Sequence, residues 1–454
     1  MIDTRFEFPD ATGPRGPRYW LNPAVLLSVR KKFRRDRTTE WRRRWEEQWP
    51  VAPDRSVDYS VLVDRPLASG FSFLILGDTG EGDKSQFGLL PLIRALAPDF
   101  IIINGDLAYP AGRAEDFYEG FFAPYRDLGV PIWAVPGNHE YYSRHSGREF
   151  YELFCTENER ARWVENGLHL VPQPGTFWEL GAEECPLVVL GVDTGMSGFL
   201  DPGRYMMGLL KTEGDPAQLA WLRDRLELAE ARGKKVLLLF HIPSLVNLEK
   251  STKTKLDGLY ALIGRFSATI SAVVTAHEHS FQYYTPEEFS RFIAADGPNA
   301  PHYFISGSGG AFLSAVDYDR AEKPDQFQAA YVFPDMTQWQ KYSGPVRKML
   351  SFTGLANSGL ARGLSSLTTA LADVDATRYQ SLLQVTVRPD SSGSMTSEMT
   401  AFFQTSLEDL YYDQPETRVS VRDGRPAPTS KGLERIALRD HRRADSGLRV
   451  RLAP

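Results

Sequence analysis

The chain has 454 residues, 42% of them hydrophobic and 24% charged, with a formal net charge of −6. That composition excludes a disordered, collagen-like or low-complexity chain and indicates a folded globular protein of one to three domains. Two cysteines, Cys155 and Cys185, cannot build a disulfide framework, and no run of 18 apolar residues offers a membrane span.

The first ten residues are polar and lack the basic-then-apolar run of a signal peptide, so a cytoplasmic location is expected. Residues 1–50 are basic, with 12 Lys or Arg against 7 Asp or Glu. Asn22-Pro23 reads as a helix N-cap with proline at the first helical position, and the chain then runs to Trp49 without Gly or Pro. Trp41, Trp45 and Trp49 recur every four residues and should share one helix face. Such a helix either lies in a membrane interface or docks its Trp face on a folded domain; docking is favoured.

Five apolar runs follow, and each ends in a polar motif. Phe71–Leu76 leads into Gly77-Asp78-Thr79-Gly80. Asp99–Asn104 leads into Gly105-Asp106-Leu107-Ala108-Tyr109. Pro131–Val135 leads into Gly137-Asn138-His139-Glu140. Val236–Phe240 leads into His241, and Ile270–Thr275 leads into Ala276-His277-Glu278-His279. Continuous rather than alternating apolar runs predict strands buried on both faces. Motifs at their carboxyl ends fall where open α/β sheets bind ligands.

Beyond the last His motif, Met349–Ala372 holds one charged residue, Arg362, and Leu360, Leu364, Leu367 and Leu371 lie on one helix face. This segment reads equally as a lid, a membrane-surface helix or an oligomer contact. Gln380–Val387 and Met395–Phe403 flank a turn-forming stretch and predict a hairpin able to finish a core sheet. From Pro415 the chain is basic again and rich in Pro and Gly, which predicts a disordered tail. The expected organisation is a basic helical extension over 1–59, an α/β domain bearing the motifs over 60–330, a helical insert and hairpin over 331–410, and a basic tail over 411–454. The basic ends read as soluble arms, with no specific nucleic-acid binding. Contact with a membrane surface through 23–49 or 346–372 stays open, as does the oligomeric state.

Each motif alone has an ordinary reading: Asp after a strand as a helix N-cap, Gly-Asn-His as a turn, a lone His as a loop residue. Those readings would all have to hold at once, and four of the eight histidines lie in these motifs. As candidate ligands the motifs offer two Asp, one Tyr, one Asn and three of their four His, and no Cys. Hard oxygens with imidazoles suit Fe, Mn or Zn, and seven donors are too many for one tetrahedral ion.

These motifs resemble the calcineurin-like metallophosphoesterase superfamily, and most of all its purple acid phosphatase branch. The superfamily usually opens with Asp-x-His; Gly80 stands here in place of that His, and Tyr109 follows Asp106 by three residues, as in the branch that shares both changes. The last motif departs from the usual Gly-His-x-His at Ala276. Val192-Asp193-Thr194, Gln218-x-x-Trp221-Leu222 and Ser306–Ala311 also resemble family landmarks, and the likeness covers about Ser60 to Asp317. The resemblance implies an αββα fold: a two-sheet α/β sandwich flanked by helices. It implies one ion held by Asp78, Asp106, Tyr109 and His279, and a second held by Asp106, Asn138, His241 and His277, with Asp106 bridging. Two ions, iron with iron, zinc or manganese, would activate a bridging hydroxide for in-line attack on a phosphoric ester of a small molecule. His139, not a ligand, would assist the leaving group. Glu278 should face away, since adjacent side chains alternate, and His145 is expected to be an exposed loop residue near the pocket. A phosphomonoesterase is favoured; a phosphodiesterase on nucleotide or lipid head groups and a non-catalytic binding protein on the same fold are the alternatives.

Overall fold

The apolar runs form strands that stop at the polar motifs. A computed structural model describes residues 38–143, 147–156, 167–195, 203–205, 210–212, 215–243, 245, 257–293, 300–311, 329, 331–333, 380–403, 421–422, 425–426 and 449–453. The strands are β1 (Ser56–Asp58), β2 (Phe71–Leu76), β3 (Phe100–Asn104), β4 (Ile132–Val135), β5 (Trp178–Gly181), β6 (Leu187–Val192), β7 (Gly203–Tyr205), β8 (Leu210–Thr212) and β9 (Lys235–Phe240). They continue with β10 (Ile270–Thr275), β11 (Phe281–Tyr284), β12 (His302–Ser306), β13 (Tyr331–Phe333), β14 (Ser381–Pro389), β15 (Met395–Phe403), β16 (Val421–Arg422), β17 (Arg425–Pro426) and β18 (Arg449–Ala453).

An eight-stranded sheet runs β1-β5-β6-β9-β10-β12-β11-β13, and a six-stranded sheet runs β18-β15-β14-β2-β3-β4. β2, β3 and β4 run parallel to one another in the smaller sheet, as do β6, β9, β10 and β12 in the larger. Their carboxyl ends therefore share an edge in each sheet.

Alternation within each strand builds three cores. Phe73 and Ile75 of β2 face inward with Trp133, Leu237 and Val274, filling the space between the sheets. Leu74 and Leu76 face outward, with Ile93 of helix Leu90–Leu96 and Phe154 of helix Arg148–Cys155. Leu238 and Phe240 of β9 face the opposite outer layer, which includes Leu222 of helix Pro216–Ala231, Ile263 of helix Asp257–Arg265 and Phe289 of helix Pro286–Ile293. Burying each such side chain contributes about 1.5–3 kcal/mol. The result is the expected α/β sandwich with helices on both outer faces.

The hairpin β14–β15 joins the smaller sheet, pairing antiparallel with β2 through Leu383 and Ile75. Its turn is held by Asp390, whose Oδ1 accepts the N–H groups of Ser392 and Ser394 at 2.8 and 3.1 Å. The amino-terminal helix spans Thr38–Gln48; residues 23–37 of the expected helix, the Met349–Ala372 segment, His145 and nearly all of the chain from Pro415 lie outside the described residues. Its buried face differs from the Trp stripe. Trp45 and Trp49 pack on Tyr151 at 5.5 and 6.0 Å, but Trp41 is exposed and Arg42 is buried instead. A four-residue spacing drifts about 40° per step around a helix, so the i, i+3, i+7 face of Arg42, Trp45 and Trp49 wins. No described helix is long and apolar enough to cross a membrane. Cys155 and Cys185 are both free thiols.

Candidate metal centre

The loops after β2, β3 and β4 carry Asp78, Asp106, Tyr109 and Asn138. Those after β9 and β10 carry His241, His277 and His279. Asp78, Asp106 and His277 adopt left-handed backbone with φ of 55°, 54° and 70°, a costly conformation for non-glycine residues that is held at sites where side chains must be aimed. Gly105, with φ 88°, lets the backbone pass the His241 ring; a Cβ there would lie 2.2 Å from its Nδ1. Ala276 is accommodated because Gly77 opposite it has no Cβ to collide with.

Each carboxylate has one oxygen fixed by a backbone N–H and one turned to the site. Asp78 Oδ2 accepts from His277 N at 2.6 Å, while its Oδ1 lies 3.0 Å from the Tyr109 hydroxyl and 3.4 Å from His279 Nε2. Asp106 Oδ1 accepts from His139 N at 2.9 Å, and its Oδ2 lies 3.2 Å from both the Tyr109 hydroxyl and His241 Nε2. His279 Nε2 is 3.0 Å from the Tyr109 hydroxyl. Asn138 Oδ1 is 3.2 Å from His241 Nε2. His241 donates Nδ1–H to the Asn104 carbonyl at 2.9 Å, which turns the Nε2 lone pair inward. The donors thus gather into two groups, Asp78–Asp106–His279 and Asp106–His241–His277, each with its atoms within 4.8 Å of one another and with Asp106 in both. Tyr109 adjoins the first and Asn138 the second. Glu278 belongs to neither; it is half-buried and its charge acts on the Tyr284 hydroxyl.

The electrostatics fit a cation. Burial works against the charge of Asp106, but His241, His139 and His277 hold its carboxyl well below the usual range. Burial likewise disfavours His241⁺, yet Asp106 and Asp78 raise the ring to about 10. Burial and His241 push His277 down to about 3, leaving it neutral and able to donate a lone pair. Burial, with Asp106 and Asp78, pushes the Tyr109 phenol well above its ordinary value. The carboxylates demand positive charge, which a proton on His241 supplies and a bound cation would replace.

His139 lies beside the two groups, 4.0 Å from Asp106 Oδ2 through Nε2, and its Nδ1 donates to the Pro110 carbonyl at 2.7 Å. Glu140, named in the motif but given no role by sequence, is fully buried and bridges the loops. It accepts from Asp106 N, Leu107 N, Ala108 N and Gly137 N at 2.7–3.1 Å. Its only sequence signal was its place after Asn138-His139.

Residues 71–281 match the family model for the calcineurin-like phosphoesterases. Human sphingomyelin phosphodiesterase is 29% identical over 192 residues, 38% of this chain and 28% of its own length. A protein of Arcobacter nitrofigilis named probable glycerophosphodiester phosphodiesterase GpdQ is 27% identical over 187 residues, 40% of this chain and 57% of its own. The matched stretch therefore spans less than two thirds of either curated relative. Among solved structures, a dimetal phosphatase from Danio rerio has a TM-score of 0.36 at 13% identity, covering 52% of this chain and 87% of its own. PhoD has a TM-score of 0.43 at 12% identity, covering 74% and 68%.

Proposed function

We propose, from the premise that residues 71–281 form a calcineurin-like phosphoesterase domain, that this chain hydrolyses phosphoric esters at a two-ion centre and prefers diesters. The observation that carries the reading is the pair of donor groups sharing Asp106. Asp78, Asp106, Tyr109 and His279 would hold one ion, and Asp106, Asn138, His241 and His277 the other. Such a donor set accepts iron, zinc or manganese. Two bound ions would supply Lewis-acid polarisation of the phosphoryl group and a coordinated water acidic enough to attack near neutral pH.

The chain's own residues do the rest. Fixing Asp106 through Oδ1 and Asp78 through Oδ2 presents one oxygen of each at a set position, so little reorganisation is needed on binding. His139, with Nδ1–H committed to the Pro110 carbonyl, can donate only as the imidazolium, from Nε2. Burial lowers its basicity and the Asp106 charge restores part of it; an anionic ester beside it would restore more, placing a proton where the leaving oxygen departs. Sequence favoured monoesters on the Tyr109 motif alone. Both curated relatives carry phosphodiesterase names, which moves the preference to diesters.

The test compares kcat/KM of the metal-loaded protein on bis(p-nitrophenyl) phosphate and p-nitrophenyl phosphate, with Asp106→Ala as control. Faster diester cleavage supports the proposal, and faster monoester cleavage reinstates the phosphatase reading. Turnover no greater than that of the control on either substrate leaves a non-catalytic binding protein on this fold.

A further inference from the structure

We infer that Arg42, in the amino-terminal helix outside the matched domain, is a positioning residue for the Asn138–His139 turn. It would act through a buried carboxylate, Asp193, and the hydroxyl of Tyr141. This rests on the proposed hydrolase reading.

Arg42 is buried although its neighbours Arg43 and Arg44 are exposed. Its guanidinium ion-pairs with Asp193 at 3.4 Å and, more closely, with Asp215, and lies 5.1 Å from the centre of the Phe177 ring. Both carboxylates are buried, and among the described residues their ion pairs all run to Arg42. Asp193 is held in place from several sides. Its Oδ1 accepts from Gly195 N at 2.9 Å, and Gln218 brackets its backbone, accepting from Asp193 N at 2.7 Å and donating to Asp193 O at 3.1 Å.

The oxygen nearest Arg42, Asp193 Oδ2, accepts from the Tyr141 hydroxyl at 2.5 Å. Tyr141 closes the single 3-10 turn His139–Tyr141, and its N–H donates to the Asn138 carbonyl at 3.1 Å. Gly195 and Gly147 crowd its ring; a Cβ on either would lie 2.0 or 2.5 Å from ring carbons. The next residue, Thr194, accepts from Ile242 N at 2.9 Å, immediately after His241. Segment 193–195 therefore touches the loops of both His139 and His241, and Arg42 supplies the charge that keeps its carboxylate in place. Without that charge, two buried carboxylates would face each other across the gap, and Asp193 would leave Tyr141 to relieve the repulsion.

The test uses Arg42→Met, Arg42→Lys, Tyr141→Phe and the Arg42→Met/Tyr141→Phe double variant in the full chain. The readouts are metal content, kcat and KM on bis(p-nitrophenyl) phosphate, and hydrogen exchange of residues 138–142. We expect metal content near wild type, KM within about twofold, kcat about tenfold lower in Arg42→Met with partial recovery in Arg42→Lys, and faster exchange at 138–142. The double variant should be no worse than the worse single, because both cut one path. Should Arg42→Met fail to fold, Tyr141→Phe, which keeps all three charges, carries the same expectation. Wild-type kcat and exchange in either folded variant, or losses that add in the double, overturn the inference. A wild-type protein that does not cleave the diester overturns the hydrolase reading instead, and the exchange experiment still decides the coupling.

Discussion

The two sheets give the candidate metal centre different chemistry. Every oxygen donor follows a strand of the smaller sheet: Asp78 after β2, Asp106 and Tyr109 after β3, Asn138 after β4. Every imidazole donor follows a strand of the larger sheet: His241 after β9, His277 and His279 after β10. Neither sheet holds a complete donor group, since each group combines carboxylates from one with imidazoles from the other. The site therefore exists only when the interior between the sheets has packed, and cations held there would tie the layers together.

The sharpest way to break this division is Asp106→Ala, because Asp106 is the one donor in both groups. Loss of kcat by about 10³-fold or more is expected, together with loss of at least one ion per chain. Steady-state kinetics and elemental analysis on the same preparation check it; retention of both ions and of turnover would mean that the sheets do not meet through this oxygen. Metal removal tests the division from the other side. If ions cross-link the sheets, chelation should lower the melting temperature by roughly 5–10 °C, since a ligand at 100 times its Kd stabilises by about 2.7 kcal/mol. Calorimetry with and without a chelator would show an unchanged melting temperature if the ions contribute nothing to holding the layers together.

Glu140 sharpens the comparison on the oxygen side alone. Its carboxylate accepts four backbone N–H groups from the loops after β3 and β4. In Glu140→Gln the new amide must point N–H at some of those donors. A loss of about 2–4 kcal/mol of stability is expected, read by denaturant unfolding. A loss below about 1 kcal/mol would show that the loops hold themselves.

Residues whose meaning is local could be read from the chain. Asp78, Asp106, His241 and His277 sit at the ends of apolar runs, and strands buried on both faces betray themselves by composition. Tyr109 was legible only through the family resemblance, which supplies a meaning for a Tyr three residues after Asp106. What could not be read were contacts between distant segments. Arg42 looks like one of three consecutive arginines on a solvated face, yet its partners lie 151 and 173 residues away. Asp193 was visible as a landmark without a role, because nothing nearby says that an arginine and a tyrosine converge on it. The Trp stripe misled in the same way: periodicity finds a helix, but the surface it meets chooses the buried face.

The smallest effect concerns a histidine on the imidazole-bearing sheet that has no part in the site. His302 opens β12 at its amino end, away from the edge where His241 and His277 emerge, and its Nδ1 lies 2.9 Å from the Tyr283 hydroxyl with the two rings stacked. Burial lowers it to about 4, and Glu287 offsets only part of that shift. Above pH 6.5 the ring is neutral in folded and unfolded chains alike and adds no pH dependence. As pH falls from 6.5 towards 4 the unfolded chain takes up the proton first, so stability is lost; below 4 both states are protonated and the loss stops. Allowing for partial exposure, the loss should be roughly 1–2 kcal/mol. The stability difference between wild type and His302→Gln, from denaturant unfolding at pH 7 and pH 4.5 under chelation, should move by that amount in favour of the variant at the lower pH. A difference that stays constant would mean that the folded protein binds this proton as readily as the unfolded chain. The amino edge of the larger sheet would then be too hydrated to set a histidine apart in the way its carboxyl edge does.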